Sequence, residues 1–499
     1  SLAHFKTLYA DLDLPGVPLE AFWKALVTVP KRETVHSELQ HIFKSPPTYA
    51  DFTSAIKHKD SRSAGGVSGL SYNMVQEWPD KLTKVVYELL LEMWTDRHIP
   101  AWWKWRWLIP LPKQPTAPTV DALRPIMLIE ILRKIWASLI ARTIQGVIDK
   151  HKVLHPSQHG FQAGHGTDTA NIQLVNVMEE AKSKRLNLYG SSWDMKRAFD
   201  SVSKGIIRLA WQRLGIPSDV IDWIIQLDTD SKTILKSAHA AEKWVEKRYE
   251  GLSEAGSFNP ETGTGQGDIF SPQTWVAVFD IVLCALEQVD HPESFMLTNT
   301  AGVQYRAPAI CYADDVVSVA SSLEGLQAQG TMISLCATLL GLTIAVQKLR
   351  TFKTCWATPS TQQTKEELTV HQGRTWTVMN TTLQTTGNIK CLGVLYDTDY
   401  SGDSQYAMSK GMMTTLVKVL AKKRASPAAV EAVIKSSLLN KAAYQGVLSN
   451  WSLDQTLQLD DIYARELKKR SKHMASHQGD NMFQPAEYMG MGFTRLAYL

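Results

Sequence analysis

Cys311-Tyr312-Ala313-Asp314-Asp315-Val316-Val317 lies inside an apolar, β-prone stretch running from Ala309 to Ala320. Two adjacent carboxylates between such flanks predict a tight β-hairpin with an acidic turn. Asp favours turns, so the pair taken alone reads most simply as a surface turn. Side chains alternate along a strand, however, and one member of the pair should project beside the buried face of the sheet. A bare carboxylate there is costly unless a cation or a donor meets it.

A second acidic position lies upstream, in Trp193-Asp194-Met195-Lys196-Arg197-Ala198-Phe199-Asp200. Ser191 to Met195 is a short strand candidate, and Asp194 precedes a turn into a helix. Alone, Asp194 reads as a cap. With Asp314 it makes chemical sense, because hard divalent cations take oxygen ligands and need carboxylates converging from separate strands. Two metals about 4 Å apart can activate a 3′-hydroxyl and stabilise a leaving pyrophosphate. Phosphoryl transfer asks little more of a protein than positioning and charge neutralisation.

The surrounding pattern is α+β. Residues 1–60 look helical with Pro-containing breaks, and Ser63 to Gly69 (SAGGVSG) reads as a flexible glycine-rich loop. Lys81 to Trp94 has helical spacing, Trp105 to Leu111 alternates as a strand, and Ile126 to Ile148 reads as one long amphipathic helix, with room for one break. Helices are expected at Ile206 to Leu214, Val220 to Leu227, Gln273 to Glu287 and Leu323 to Leu340. Gly263 to Gly267 is a glycine-rich turn, and residues 357–388, rich in Thr and Gln, read as a loop or irregular hairpin. From about residue 405 the pattern is helical.

The 499 residues are 44% hydrophobic and 20% charged, so ordinary cores can form without disulfides or structural metals. The sixteen Trp are read chiefly as core packing. The five cysteines are widely spaced and lack zinc-site spacing, which points to free thiols in a reducing compartment. No apolar run has the length of a membrane span, so no membrane association is expected. A first residue of Ser and the lack of a signal-peptide pattern read as an excised or processed segment. A net charge of +4 does not by itself predict nucleic-acid binding. Two late clusters carry the basic character: Lys418, Lys422, Lys423 and Arg424, then Arg465, Lys468, Lys469, Arg470 and Lys472. Each could simply be a solvated helix face.

YADD at 312–315, DMKRAFD at 194–200 and GTGQGDIFSP at 263–272 resemble, in order and spacing, the palm motifs of reverse transcriptases. WRWLIPLPKQ at 105–114, LRPIMLIEILRKIWASLIART at 123–143 and QHGFQAGHGT at 158–167 resemble that family's fingers motifs. GLTIAVQKLRTF at 341–352 and IKCLGVLY at 389–396 resemble the motifs closing the palm, and PAEYMGMGFTRL at 485–496 is similar to the thumb end of non-LTR (LINE-like) elements. The resemblance implies an RNA-directed DNA polymerase with a right-hand fold: an N-terminal extension at 1–60, fingers at 61–190, an antiparallel-sheet palm at 191–398 with a helical insertion at 204–240, and a helical thumb at 399–499.

Carried over by position, the resemblance implies two Mg²⁺ ions, or Mn²⁺ as a substitute, bridged by Asp194 and Asp314, with the Met195 carbonyl as a further ligand and Asp315 assisting. Phe199 would lie under the incoming sugar and collide with a 2′-hydroxyl, the group that separates ribonucleotides from deoxynucleotides; it could also be a core aromatic. Gln266 and Gly267 would form a close backbone turn beside the nascent pair, where the lack of a Cβ helps. Lys113 and Arg124 are candidates for the dNTP triphosphate, and Lys348 for protonating pyrophosphate, although each could be a surface charge. Asp200 is expected to structure its turn or touch sugar. Lys422, Lys423, Arg424, Lys468, Lys469 and Arg470 would track the phosphates of an RNA template paired with a DNA primer.

Several positions depart from the family pattern: Gly265 for Pro, Gln162 for Arg, His165 for another basic residue, Ala345 for Asn and Ser68 for Asp. None removes a metal ligand. A group II intron maturase-like enzyme and a decayed copy that only binds RNA are the alternatives. Viral RNA polymerases usually carry Gly where Ala313 stands. The resemblance implies an intracellular protein, nuclear if it comes from a eukaryotic retrotransposon.

Overall fold

A computed structural model describes residues 19–113, 122–236, 257–260, 262–289, 294–299, 301–354, 356, 366–373, 377–385, 387–470, 483 and 494–496. The expectations for Gln114, for 237–240 and for most of the 485–496 stretch lie outside those residues.

The expected hairpin at 309–320 forms, and a sheet is built on it. Asp315–Ala320 pairs with Ala309–Tyr312 on one side and with Tyr189–Trp193 on the other, and Arg350–Lys353 completes four antiparallel strands. The two-residue side-chain period divides these strands between two cores. Trp193, Cys311, Val316 and Ala320 enter one core with the Ser271–Gln288 and Leu323–Leu339 helices. Ile310, Val317, Val319 and Phe352 enter another with the Thr167–Ser183 helix and the Asn388–Cys391 and Val394–Asp397 hairpin. Burial on both faces accounts for the unbroken apolar flanks of the acidic pair.

A second sheet orders Leu123–Leu128, Trp105–Pro112, Lys232–Leu235 and Ser257–Phe258. This corrects the long-helix expectation at Ile126 to Ile148. Residues Leu123–Leu128 are a strand in register with Trp105–Pro112, Trp107 opposite Leu128 and Pro112 opposite Leu123, and the helix spans only Ile131–His151. Periodicity cannot separate a short apolar strand from a helix that follows it at once, and the deciding strand partner lies elsewhere in the chain.

The glycine-rich loop is pinned, contrary to the expectation of flexibility. Ser68 donates from its N–H and its Oγ to the Glu130 carboxylate at 2.8 and 2.5 Å, and a Cβ on Gly66 would come within 2.6 Å of the Glu130 nitrogen. An Asp at 68 would set a second carboxylate against buried Glu130, so Ser fits this loop. The polar segment also proves more regular than expected: Glu367–Gln372 and Thr377–Thr382 form a six-pair hairpin.

Trp94, Trp103, Trp136 and Trp223 form a chain of edge-to-face contacts, the closest being Trp136 on Trp223 with centroids 4.4 Å apart. The helices Leu19–Val27, Arg32–Ile42 and Tyr49–Lys57 share this main core. Buried Arg213 ties the first of them down, donating to the Ala25 carbonyl at 2.8 Å and pairing with fully buried Asp280, which also accepts the His155 N–H at 2.6 Å. Helices from Asp403–Ala421 to Leu453–Arg470 build a separate core.

Arg213→Met should lower stability by about 3–5 kcal/mol, since it leaves Asp280 as an uncompensated buried charge. Urea unfolding of the two proteins measures this, and a loss below 1 kcal/mol would contradict the reading.

Candidate active site

The register of two strands brings the acidic positions together. Trp193 faces Val316, so Asp194, one residue after Trp193, and Asp315, one residue before Val316, sit at the same end of neighbouring antiparallel strands. Asp314 occupies the turn beside them, where Asp315 faces Tyr312 across a two-residue reversal. The chain after Asp194 is held separately: Ala345 N–H donates to the Asp194 carbonyl at 2.8 Å, and Met195–Lys196 pairs with Thr343–Ile344. Met195 is thus fixed through its backbone and buried through its side chain.

Electrostatics reports the same proximity. The Asp314 carboxyl is pushed up by loss of water first, then by the charge of Asp194. Asp315 rises from 3.8 to about 6, first because the surrounding protein strips water from its carboxyl, with repulsion from Asp314 and then Asp194 adding to the shift. Lys348 opposes this, its Nζ donating to Asp194 Oδ2 at 2.6 Å. Its expected contact was pyrophosphate; here it is a counter-ion to the acidic group.

Among the described residues, no three His, Cys, Asp or Glu side chains are drawn close enough to chelate an ion. The carboxylates repel one another, and a lysine ammonium donates to one of them. The donor set still suits a hard divalent cation: carboxylate oxygens from two strands, at a strand end, with charge left to neutralise.

The GTGQGD segment runs between this acidic end and the second sheet. Thr264 N–H donates to the Phe199 carbonyl at 2.8 Å, and Thr262 Oγ to the Asp200 carbonyl at 2.9 Å. Gln266 meets the other sheet, its carbonyl accepting from Met127 N–H at 2.7 Å. Gly267 has φ 109°, and a Cβ there would lie 2.7 Å from the Met127 carbonyl oxygen, so both conformation and space require glycine. Phe199 is half-buried against Trp275, ring centroids 5.5 Å apart, so one aromatic both packs and lines the turn. Asp200 is pushed up by burial, with Arg197 and Lys113 opposing the shift. That places Lys113 within electrostatic reach of the site. Arg124 is exposed two residues before Ile126, which bridges to Gln266.

The basic clusters are not part of this gathering. They belong to the C-terminal helices, which run side by side in one direction: Asp403 meets Gln455 at 3.4 Å and Tyr406 meets Gln458 at 2.7 Å. Lys422, Lys423 and Arg424 are exposed just past the end of the first helix. Lys469 is exposed and Lys468 half-buried near the end of the last, whose final residue is Arg470. The parallel run puts both clusters at one end of the bundle.

Sequence reading missed the buried charges that hold the GTGQGD segment. Arg133, fully buried, pairs with Asp268 and with Asp228. Arg106 joins from the strand, donating to Asp228 at 2.8 Å and to Thr233 and Ser231. Asp228 is held well below the ordinary carboxylate range, Arg106 and Arg133 outweighing burial. Two arginines inside apolar patterns, at 106 and 133, were the available signal. Gln158, 0% exposed, was missed as well.

Residues 111–395, more than half of the chain, match the family described as "Reverse transcriptase (RNA-dependent DNA polymerase)". The chain is 27% identical over 290 residues to the "Retrovirus-related Pol polyprotein from type-1 retrotransposable element R2" of Nasonia vitripennis, covering 58% of this chain and 25% of that protein. It is 24% identical over 385 residues to the "Retrovirus-related Pol polyprotein from type-2 retrotransposable element R2DM" of Drosophila melanogaster, covering 75% and 33%. The chain thus spans a quarter to a third of the length of these relatives. Among solved structures, apo telomerase from Candida tropicalis truncated from the C-terminal domain aligns over 60% of each chain at 10% identity, with a TM-score of 0.36, a value too low to support a further reading.

In the folded, metal-free protein Asp315 keeps its proton to about pH 6, while the unfolded chain releases it near 3.8. Stability is therefore full below the lower value and is lost as pH rises through the higher one. Asp315→Asn should flatten the melting-temperature profile between these limits in EDTA and raise the metal-free melting temperature above pH 6 by about 1–3 °C. An unchanged slope would remove Asp315 from the coupled set.

Proposed function

The chain belongs to the reverse transcriptase (RNA-dependent DNA polymerase) family, and from that premise we propose that it extends a DNA 3′-hydroxyl with dNTPs on an RNA template, in the service of retrotransposition. The observation that carries the reading is the register Trp193 to Val316, which sets Asp194 and Asp315 side by side with Asp314 in the adjoining turn.

Members of this family depend on a divalent metal ion. Mg²⁺, as a pair of ions with Mn²⁺ as a substitute, is the finer reading, held by Asp194 and Asp314 with Asp315 and the Met195 carbonyl contributing. When bound, such ions lower the pKa of the attacking hydroxyl and neutralise charge on the departing pyrophosphate. Asp194 and Asp314 supply the carboxylate oxygens that would hold those ions at one strand end. Lys348, released from Asp194, has its ammonium free for a phosphate oxygen or a proton transfer. Lys113 and Arg124 offer cations to the triphosphate from the second sheet. Gln266 and Gly267 present backbone to the nascent pair, and Phe199 limits the space under the sugar.

Residues 61–190 serve as fingers, 191–398 as palm and 399–499 as thumb in this reading. The basic ends of the C-terminal helices, from Lys422, Lys423 and Arg424 to Lys468, Lys469 and Arg470, face the phosphates of the RNA–DNA hybrid, which predicts salt-dependent and sequence-tolerant binding. No helix among the described residues is long and apolar enough to cross a membrane. Nuclear residence follows only if the parent element is eukaryotic.

Asp314→Asn should abolish dNTP incorporation on an RNA template while RNA affinity stays nearly intact. Primer extension and filter binding measure both, and equal incorporation by the variant removes Asp314 from the mechanism. Phe199→Val should raise the kcat/KM for ribonucleotides relative to deoxynucleotides by roughly tenfold or more, by relieving the clash with the 2′-hydroxyl. An unchanged ratio would leave Phe199 as packing only.

A further inference from the structure

The acidic turn depends on a residue outside the hairpin. Ala313 has φ 59°, left-handed backbone that is unfavourable for a residue bearing a Cβ. Something must hold it there. Its N–H donates to Gln158 Oε1 at 3.0 Å, and the same oxygen accepts the Gly160 N–H at 2.8 Å. Gln158 Nε2 donates in turn to Cys311 Sγ at 3.2 Å. The backbone on either side is stitched to the same strand, His159 N–H to the Cys311 carbonyl at 2.7 Å and Cys311 N–H to the Ser157 carbonyl at 2.9 Å. Gly160 closes the contact, because a Cβ there would lie 2.4 Å from the Ala313 nitrogen and 2.9 Å from its Cα.

We propose that Gln158 is a positioning residue for the polymerase reaction: its side-chain amide holds the strained Ala313 peptide and so fixes where Asp314 presents its carboxylate. The side chain must accept two N–H bonds and donate one, and it must do so without charge. A carboxylate in its place would add a negative group beside Asp314 and Asp315. An apolar side chain of similar length would fill the volume but orphan two buried N–H groups, a loss of the kind that shifts a tight turn. Repulsion among the carboxylates tends to open the turn, and the Gln158 contact opposes that from behind. The effect reaches the chemistry only through the position of Asp314, so substrate binding should be spared.

This inference rests on the polymerase reading, and the experiment separates the two. The full chain is compared with Gln158→Met and Gly160→Ala, the second pressing on Ala313 from the same side without removing the amide. Amide hydrogen exchange is followed in the metal-free protein, together with kcat and KM for a single dNTP addition. In both variants, the segment containing Ala313 should exchange faster, by about tenfold or more, with other palm segments unchanged. In both, kcat should fall about 10–100-fold, with KM for dNTP within about threefold. Wild-type exchange at Ala313 or wild-type kcat in Gln158→Met overturns the proposal, as does faster exchange throughout the palm, which would make Gln158 a general core residue. Should Gln158→Met fail to fold, Gly160→Ala decides alone by the same readouts. If the unaltered chain adds no dNTP, the polymerase reading fails, and the exchange arm still judges the Gln158 contact.

Discussion

Carboxylates that repel one another do not gather by themselves, and the strand register of this fold is what sets Asp194 beside Asp315 with Asp314 in the adjoining turn. Asp194 and Asp315 are neighbours because Trp193 is in register with Val316. That register is fixed by two cores, one on each face of the sheet: a slip of one residue would exchange Val316 and Val317 between them. The electrostatic cost shows in the raised carboxyls of Asp314 and Asp315, which burial and mutual repulsion push in the same direction. Lys348 relieves part of it on Asp194. A cation would relieve the rest, in keeping with the metal-holding role proposed for these carboxylates.

The same logic extends one layer outward. The glycine-rich GTGQGD segment can approach the second sheet closely because Gly267 has no side chain, but a bare backbone does not anchor itself. Asp268 supplies the anchor through Arg133, and Arg133 shares Asp228 with Arg106 from the neighbouring strand. Buried ion pairs of this kind add little net stability compared with an apolar core. Their use here is geometric, since they tie a strand of the second sheet, a long helix and the GTGQGD turn to one another.

Much of this was legible in the residues. The acidic hairpin, the Asp194 strand end, the paired helices after Ser203 and, as far as residue 470, the helical C-terminal region all announce themselves by local pattern and form where expected among the described residues. The reading failed where a distant partner decides. Ile126 to Leu128 reads locally as the start of a helix, and pairing with Trp105–Pro112 makes it the end of a strand instead. The loop at 63–69 looked flexible until Glu130 was found pinning it. Gln158 opens a stretch that resembles a fingers motif, but nothing local says that its side chain meets the peptide of Ala313.

Sequence alone determined the chemistry available: which acids, bases, cations and glycines exist, and in what order along the chain. It also determined the family, since residue types at fixed spacing are what motif resemblance measures. Tertiary structure alone decided which of those groups touch. Register between strands, the sharing of Asp228 by two arginines and the Gln158 contact to the acidic turn all join residues that lie 95 or more positions apart. Local propensity spans only a few residues, whereas the energy of these contacts depends on burial and distance that no single segment contains.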